Sequence, residues 1–239
     1  ICLHGWTLDH RSFAPQAALA ESGVRVVCFD RRGFGDSSLP PDFEREVDDV
    51  RAVLAHFSGP RVLYGVSQGA RLALRCAVAF DDALSGVVVQ GGHIDGVQYP
   101  DAPGEGIPFD DYRAWLAAGD LASFRAHWVH HPLVARGFED GPLELRLALI
   151  DRYRGHDLLL PGALPQPTDI AAALAASQVP LLTVVGSLEV SSRKAHAAHL
   201  VATMGAERVD IPGGGHLCHI SHSTAVNDHL LDWLKLLAG

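Results

Sequence analysis

Short, almost continuously apolar runs alternate along this chain with longer amphipathic stretches, and this alternation is its tightest constraint. VRVVCF at 24–29, RVLY at 61–64, LSGVVVQ at 84–90 and PLLTVV at 180–185 are too short for stable helices and lack a regular polar face. Strands of this kind must be covered on both sides, which a parallel sheet between two helical layers provides. The intervening stretches supply the helices. In residues 44–57, Val47, Val50, Val53, Leu54 and Phe57 fall on one face at helical spacing. Further helices are expected over 11–21, 68–80, 191–204 and 223–237, and further strands over 1–3 and 208–211. The predicted fold class is therefore a three-layer α/β/α arrangement with a mostly parallel sheet.

The rhythm breaks between residues 92 and 178. This segment is rich in Gly and Pro near its start and has no strong strand, but helical patterns occur over 110–118, 121–130 and 143–153. It is too long for a plain connection. The expectation is a helical cap (92–178) inserted into a core domain formed by 1–91 and 179–239.

Bulk composition narrows the function classes. Of 239 residues, 48% are apolar and 20% charged, with a net charge of −9. An acidic chain lacks the cationic footprint that nucleic acid or an anionic membrane requires. No apolar run reaches the roughly 18–20 residues of a membrane-spanning helix. Cys2, Cys28, Cys76 and Cys218 show no metal spacing and are read as reduced thiols, as expected of a cytoplasmic protein. The partner expected is a small-molecule substrate, and the sequence carries no reading of oligomeric state.

Chemistry concentrates at four places. Gly65-Val66-Ser67-Gln68-Gly69 lies directly after one predicted strand and directly before a helix. A serine on so sharp a turn is exposed as a nucleophile, and glycines two residues to either side remove clashing Cβ atoms. His4-Gly5-Trp6 follows the first strand, where the Trp6 backbone N–H, with that of Gln68, can supply an oxyanion hole. His216 follows three glycines at the exit of the strand over 208–211, on a loop expected to be mobile, and is the candidate general base. Glu189, just past the strand over 180–185, is the candidate acid that orients His216, with Asp95 as the alternative. The chain order is Ser, acid, His.

With these motifs the chain resembles the α/β-hydrolase superfamily over nearly its whole length. HGW at 4–6, FDRRGFGDSS at 29–38, GVSQG at 65–69, GSLE at 186–189 and GGGH at 213–216 match its ordered loops. The resemblance implies a sheet that normally begins with two further strands, which are not found before residue 1, so the sequence is read as a fragment. The serine separates it from the haloalkane dehalogenases and epoxide hydrolases, which carry Asp at the elbow. Within the serine branch it is similar to small-substrate esterases, enol-lactone hydrolases and the SHCHC synthases of menaquinone formation. The last likeness rests on WVHHPL at 128–133 and on Arg193.

The expected activity is hydrolysis of a small carboxylic ester or lactone through an acyl-enzyme on Ser67, with no cofactor and no metal. One alternative is a lyase that uses the Ser–His pair only for proton abstraction, which basic side chains such as Arg125, Arg152 or Arg193 near the pocket would favour. The other is a non-catalytic ligand receptor. Asp30 and the segment 32–37 are read as stabilising their loop. His216, His219 and His222 are spaced three apart without accompanying carboxylates, which argues against zinc. His196 and His199 are read as solvated. His127, His130 and His131, with Trp115, Phe124 and Trp128, are either pocket wall or cap core.

Overall fold

The structure is a computed structural model and describes residues 1–138 and 143–238. The elements are, in order, β1 (Cys2–Leu3), a 3-10 helix (His10–Ser22), α1 (Glu46–Leu54), β2 (Val62–Val66), α2 (Gln68–Ala79) and β3 (Gly86–Gln90). Six helices follow: α3 (Phe109–Ala117), α4 (Leu121–Trp128), α5 (Pro132–Ala135), α6 (Leu143–Arg152), α7 (His156–Leu159) and α8 (Ala171–Ala176). The chain closes with β4 (Leu181–Gly186), α9 (Ser191–Met204), β5 (Glu207–Ile211), α10 (Cys218–Ser221) and α11 (Ser223–Ala238).

The five strands pair in parallel in the order β1-β2-β3-β4-β5. Side chains alternate across the sheet. Leu3, Leu63, Val87, Val89 and Leu181 join one core with Val50 of α1, Leu72 of α2, Leu174 of α8 and Leu200 of α9. Cys2, Tyr64, Val66, Val88, Leu182 and Val184 join a second core with Phe13 of the 3-10 helix and Val226, Leu230 and Trp233 of α11. These are the two faces of a three-layer α/β/α fold. A third cluster, rich in aromatic rings, joins Tyr112, Phe124, Trp128 and Tyr153 to Trp6 of the core.

Two expectations differ in detail. The segment over 24–29 makes only one bridge, Cys2 to Cys28, with Cys2 N–H donating to Val27 O at 2.8 Å. Its neighbour β1 is two residues long and offers little ladder. The helix expected over 11–21 is wound as a 3-10 helix with Pro15 in its interior, which denies one α-type N–H. All four cysteines are free thiols.

Leu63 is completely buried in the sheet. Truncating Leu63→Ala should lower stability by about 2–5 kcal/mol, read as a lower urea midpoint with an unchanged slope.

Candidate active site

The turn after β2 is shaped by crowding. A Cβ on Gly69 would lie 2.0 Å from the Leu3 carbonyl oxygen, and one on Gly65 would lie 2.4 Å from that of Gly69. Gly5 is similarly tight, its Cβ position being 3.1 Å from the Ser67 Cβ. Between these glycines Ser67 adopts φ 56°, ψ −117°. Among the described residues only Thr7 (φ 64°) and Ser67 combine a side chain with positive φ, and both line the same cavity. Such strain persists only where surrounding structure holds it. Here the Ser67 N–H donates to Gln90 O at 2.7 Å, and the Ser67 carbonyl accepts from Ala70 and Arg71 as α2 begins. That helix start turns backbone donors and the positive dipole end toward the cavity.

Glu189 and His216 are brought together by the way two loops are fastened. Beyond the Gly186–Ile211 register pair, Ser187 N–H donates to Ile211 O at 2.9 Å and Leu188 N–H to Gly214 O at 2.8 Å. This places Glu189 Oε2 2.7 Å from His216 Nδ1, with both side chains buried. Glu189 Oε1 accepts from the Val190 N–H at 2.8 Å. His216 Nε2 is buried without a hydrogen-bond partner among the described residues. Ser67 and His216 line one cavity.

The glycine run before His216 is a packing device, contrary to the expectation of a mobile loop. A Cβ on Gly215 would lie 2.0 Å from the Arg136 carbonyl oxygen, and one on Gly214 would lie 2.8 Å from the Cys218 Cβ. Gly91 has the same role across the sheet, since its Cβ would lie 2.4 Å from His216 Cε1.

The His4-Gly5-Trp6 loop is held from below. The Arg31 backbone N–H donates to His4 Nε2 at 3.0 Å, and His4 Nδ1 lies 2.9 Å from the Gly5 carbonyl, a network that sets the proton on Nδ1. The Arg31 guanidinium donates to His4 O at 2.9 Å and to Gln68 Oε1 at 3.0 Å, and is ion-paired with buried Glu46. One cation thus ties the loop carrying Trp6 to the residue after Ser67. The Trp6 indole donates to Asp157 at 2.7 Å, and Trp128 donates to Thr7 Oγ1 at 2.8 Å, which joins the loop to the helices above.

The cavity measures about 440 Å³. Ser67, His216, Trp6 and Gln68 line it, together with apolar Trp128, Leu133, Val134 and Leu217 and polar Arg71, His93 and Arg193. Asp95 is engaged elsewhere, its carboxylate taken by Arg71 and Arg75. Arg125 pairs with Asp151, and Arg152 with Asp36 and Asp9, so of the three arginines named from sequence only Arg193 faces this cavity. Phe124, Trp115 and His127 pack with Tyr112 in the cap cluster, and Trp128 alone of that set reaches the cavity wall. Asp30 braces its loop, accepting from Asp36 N–H at 2.7 Å and His10 N–H at 2.8 Å. His196 is buried rather than solvated, accepting from Ile94 N–H. His216, His219 and His222 do not converge; among the described residues the one group with metal-ligand proximity is Asp9, His10 and Asp30.

Arg31, Gln90, Gly91, Arg71 and His93 were not found from sequence. Arg71, one turn into α2 after Ser67, had a usable positional signal. The others depend on contacts between distant segments.

Ser67, on a positive-φ strand-to-helix turn of an α/β sheet, thus lines the same cavity as a buried carboxylate–imidazole pair. Comparison with known proteins specifies the family. The Alpha/beta hydrolase family matches residues 1–229, and the chain belongs to it. The putative carbamate hydrolase RutD of Klebsiella pneumoniae is 25% identical over 93% of this chain and 85% of its own length. The AB hydrolase superfamily protein YisY of Bacillus subtilis is 38% identical over 31% of this chain, and the matched stretch spans only 30% of YisY. A bromoperoxidase from Bacillus anthracis superposes with a TM-score of 0.82 at 25% identity, covering 98% of this chain and 90% of that one.

Burial holds several imidazoles neutral. Desolvation, with Arg31 nearby, lowers His4 to a pKa of about 3, and desolvation, with His216 nearby, lowers His219 to about 3. The unfolded chain takes up these protons below about pH 6.5 and the folded chain does not, so stability falls on acidification. The two groups together should cost about 2.7 kcal/mol per pH unit below that point, with no contribution above about pH 7.5. Urea midpoints between pH 8 and 5 would show this, and His219→Phe should reduce the slope by about 1.4 kcal/mol per pH unit, the share of one histidine.

Proposed function

We propose that this protein is a serine hydrolase that cleaves a small carboxylic ester or lactone. The observation that carries the reading is Ser67, strained on its elbow, sharing a cavity with His216 whose Nδ1 is already held by Glu189. Ser67 Oγ attacks the substrate carbonyl while His216 Nε2 accepts its proton. Glu189 fixes the tautomer and stabilises the imidazolium. The backbone N–H groups of Trp6 and Gln68 receive the oxyanion. His216 then protonates the leaving group, and water activated by the same imidazole releases the acid. The chemistry needs neither cofactor nor metal. Residues 92–178 serve as the cap, of which 139–142 lie outside the described residues. Leu174 of α8 packs in the main core, while Phe109 of α3, Trp128 of α4, Leu133 and Val134 of α5 and Ile150 of α6 line the cavity.

A lyase reading has one specific support, the Arg193 guanidinium on the cavity wall. It predicts turnover without an acyl-enzyme, and therefore no burst with an activated ester.

A fluorophosphonate probe should label Ser67, located by peptide mapping, and should fail to label Ser67→Ala. Glu189→Gln should fold normally and lose on the order of 10³–10⁴ in kcat on p-nitrophenyl esters, because the imidazole loses its orienting anion. Absence of labelling on folded wild-type protein would overturn the hydrolase reading.

A further inference from the structure

Arg193 stands in the first turn of α9 and lines the cavity that holds Ser67 and His216. It is only 7% exposed. A guanidinium this deep requires an anion or a full set of acceptors, since the desolvation of an unpaired charge is costly. Arg193 has neither. Its one hydrogen-bond partner among the described residues is His93 Nε2, a neutral acceptor, and its Nε has none. No carboxylate lies within ion-pairing distance of it among the described residues, although Glu189 and Asp101 are near enough to act on it.

The acids around the cavity are already committed. Glu189 holds His216 and the Val190 N–H. Glu105 is paired with Arg136 and accepts from the Ser191 N–H at 2.8 Å. Asp101 accepts from the Ser192 hydroxyl. The other cation on the wall, Arg71, is neutralised by Asp95. Arg193 therefore presents a buried positive charge with unused donors toward the space where substrate must sit. His93 supports it from the protein side and is kept neutral by burial and by Arg193 itself.

We propose that the substrate carries a free carboxylate besides its ester or lactone carbonyl, and that Arg193, backed by His93, binds it. The proposal rests on the hydrolase reading of Ser67. A planar guanidinium fork matches a carboxylate in two-point geometry. A phosphate dianion is the poorer fit, because Asp101 and Glu105 share the wall. The cavity volume of about 440 Å³ suits a short half-ester or carboxylated lactone. The anion then sets the acyl chain's direction relative to Ser67, so Arg193 is a specificity-determining residue that leaves bond breaking to Ser67 and His216.

The test compares mono-p-nitrophenyl glutarate with p-nitrophenyl valerate, whose acyl chains are equally long but end in a carboxylate or a methyl group. Wild-type protein should favour the charged ester in kcat/KM by at least about tenfold. In Arg193→Gln the ratio of the two kcat/KM values should fall on the order of 100-fold, and Arg193→Lys should restore part of it. Using the ratio cancels any general loss in the variant, and circular dichroism with a thermal midpoint establishes that each variant is folded. Glutarate should also slow fluorophosphonate labelling of wild type, and inorganic phosphate should not. Turnover of the neutral ester through Ser67 with no preference for the charged one would overturn the carboxylate site and leave the hydrolase reading standing. Equal protection by phosphate would likewise overturn the carboxylate assignment. Saturable glutarate binding by calorimetry that is lost in Arg193→Gln, with no labelling and no ester turnover, would support the site and sink the hydrolase reading. No binding and no turnover would sink both.

Discussion

The close approach of α2 to the end of β1 is the constraint on which the site depends. Gly69 sits so near the Leu3 and His4 carbonyls that any side chain there would collide with backbone. Because β1 and β2 are paired in parallel, Leu3 against Gly65, the chain leaving β1 must pass directly over the Ser67 turn. The His4-Gly5-Trp6 loop is thereby delivered beside Ser67 without any need for length or flexibility. Arg31 completes this, since a single guanidinium binds the His4 carbonyl and the Gln68 side chain at once. Trp6, Gln68 and Ser67 are parts of one tightly packed junction.

His216 is tied to that junction through β3. The Gln90 carbonyl receives the Ser67 N–H, while the Gln90 side chain donates to the His216 carbonyl at 2.8 Å and accepts from the Tyr64 hydroxyl. The next residue, Gly91, leaves the space that the His216 ring occupies. One strand end thus sets both the depth of the serine turn and the position of the histidine. His219, buried beside Gln90, is core structure and contributes to this brace rather than to chemistry.

What could be read from the sequence was what depends on neighbours along the chain. Period and length of apolar runs revealed the strands, and α9 was expected at the bounds it has, 191–204. Ser67, His216 and Glu189 stood out because each follows a strand end with glycines close by, and they lie in one region of the structure. Legibility failed where function comes from contacts between remote segments. Gln90 read as the last residue of an apolar strand, and its hydrogen bonds reach residues 64, 67, 216 and 219. Asp95 had the right distance past a strand, but two arginines one turn apart on α2 capture it. The glycines before His216 suggested freedom because a sequence does not show Arg136 pressed against them.

Electrostatics explains how so many basic groups share one small region. His4, His93, His196 and His219 are all driven toward the neutral form, chiefly by desolvation. Arg31 and Arg71 are each matched by a carboxylate, Glu46 and Asp95. That leaves Arg193 as the cation on the cavity wall without an ion-pair partner among the described residues. In the proposed acyl transfer His216 itself becomes cationic, with the Glu189 carboxylate held against it. A substrate carboxylate on Arg193 would cancel the competing positive charge just as that imidazolium forms. Binding the anion would then favour the step that follows it, and the preference for a charged substrate should reside in kcat as well as in KM.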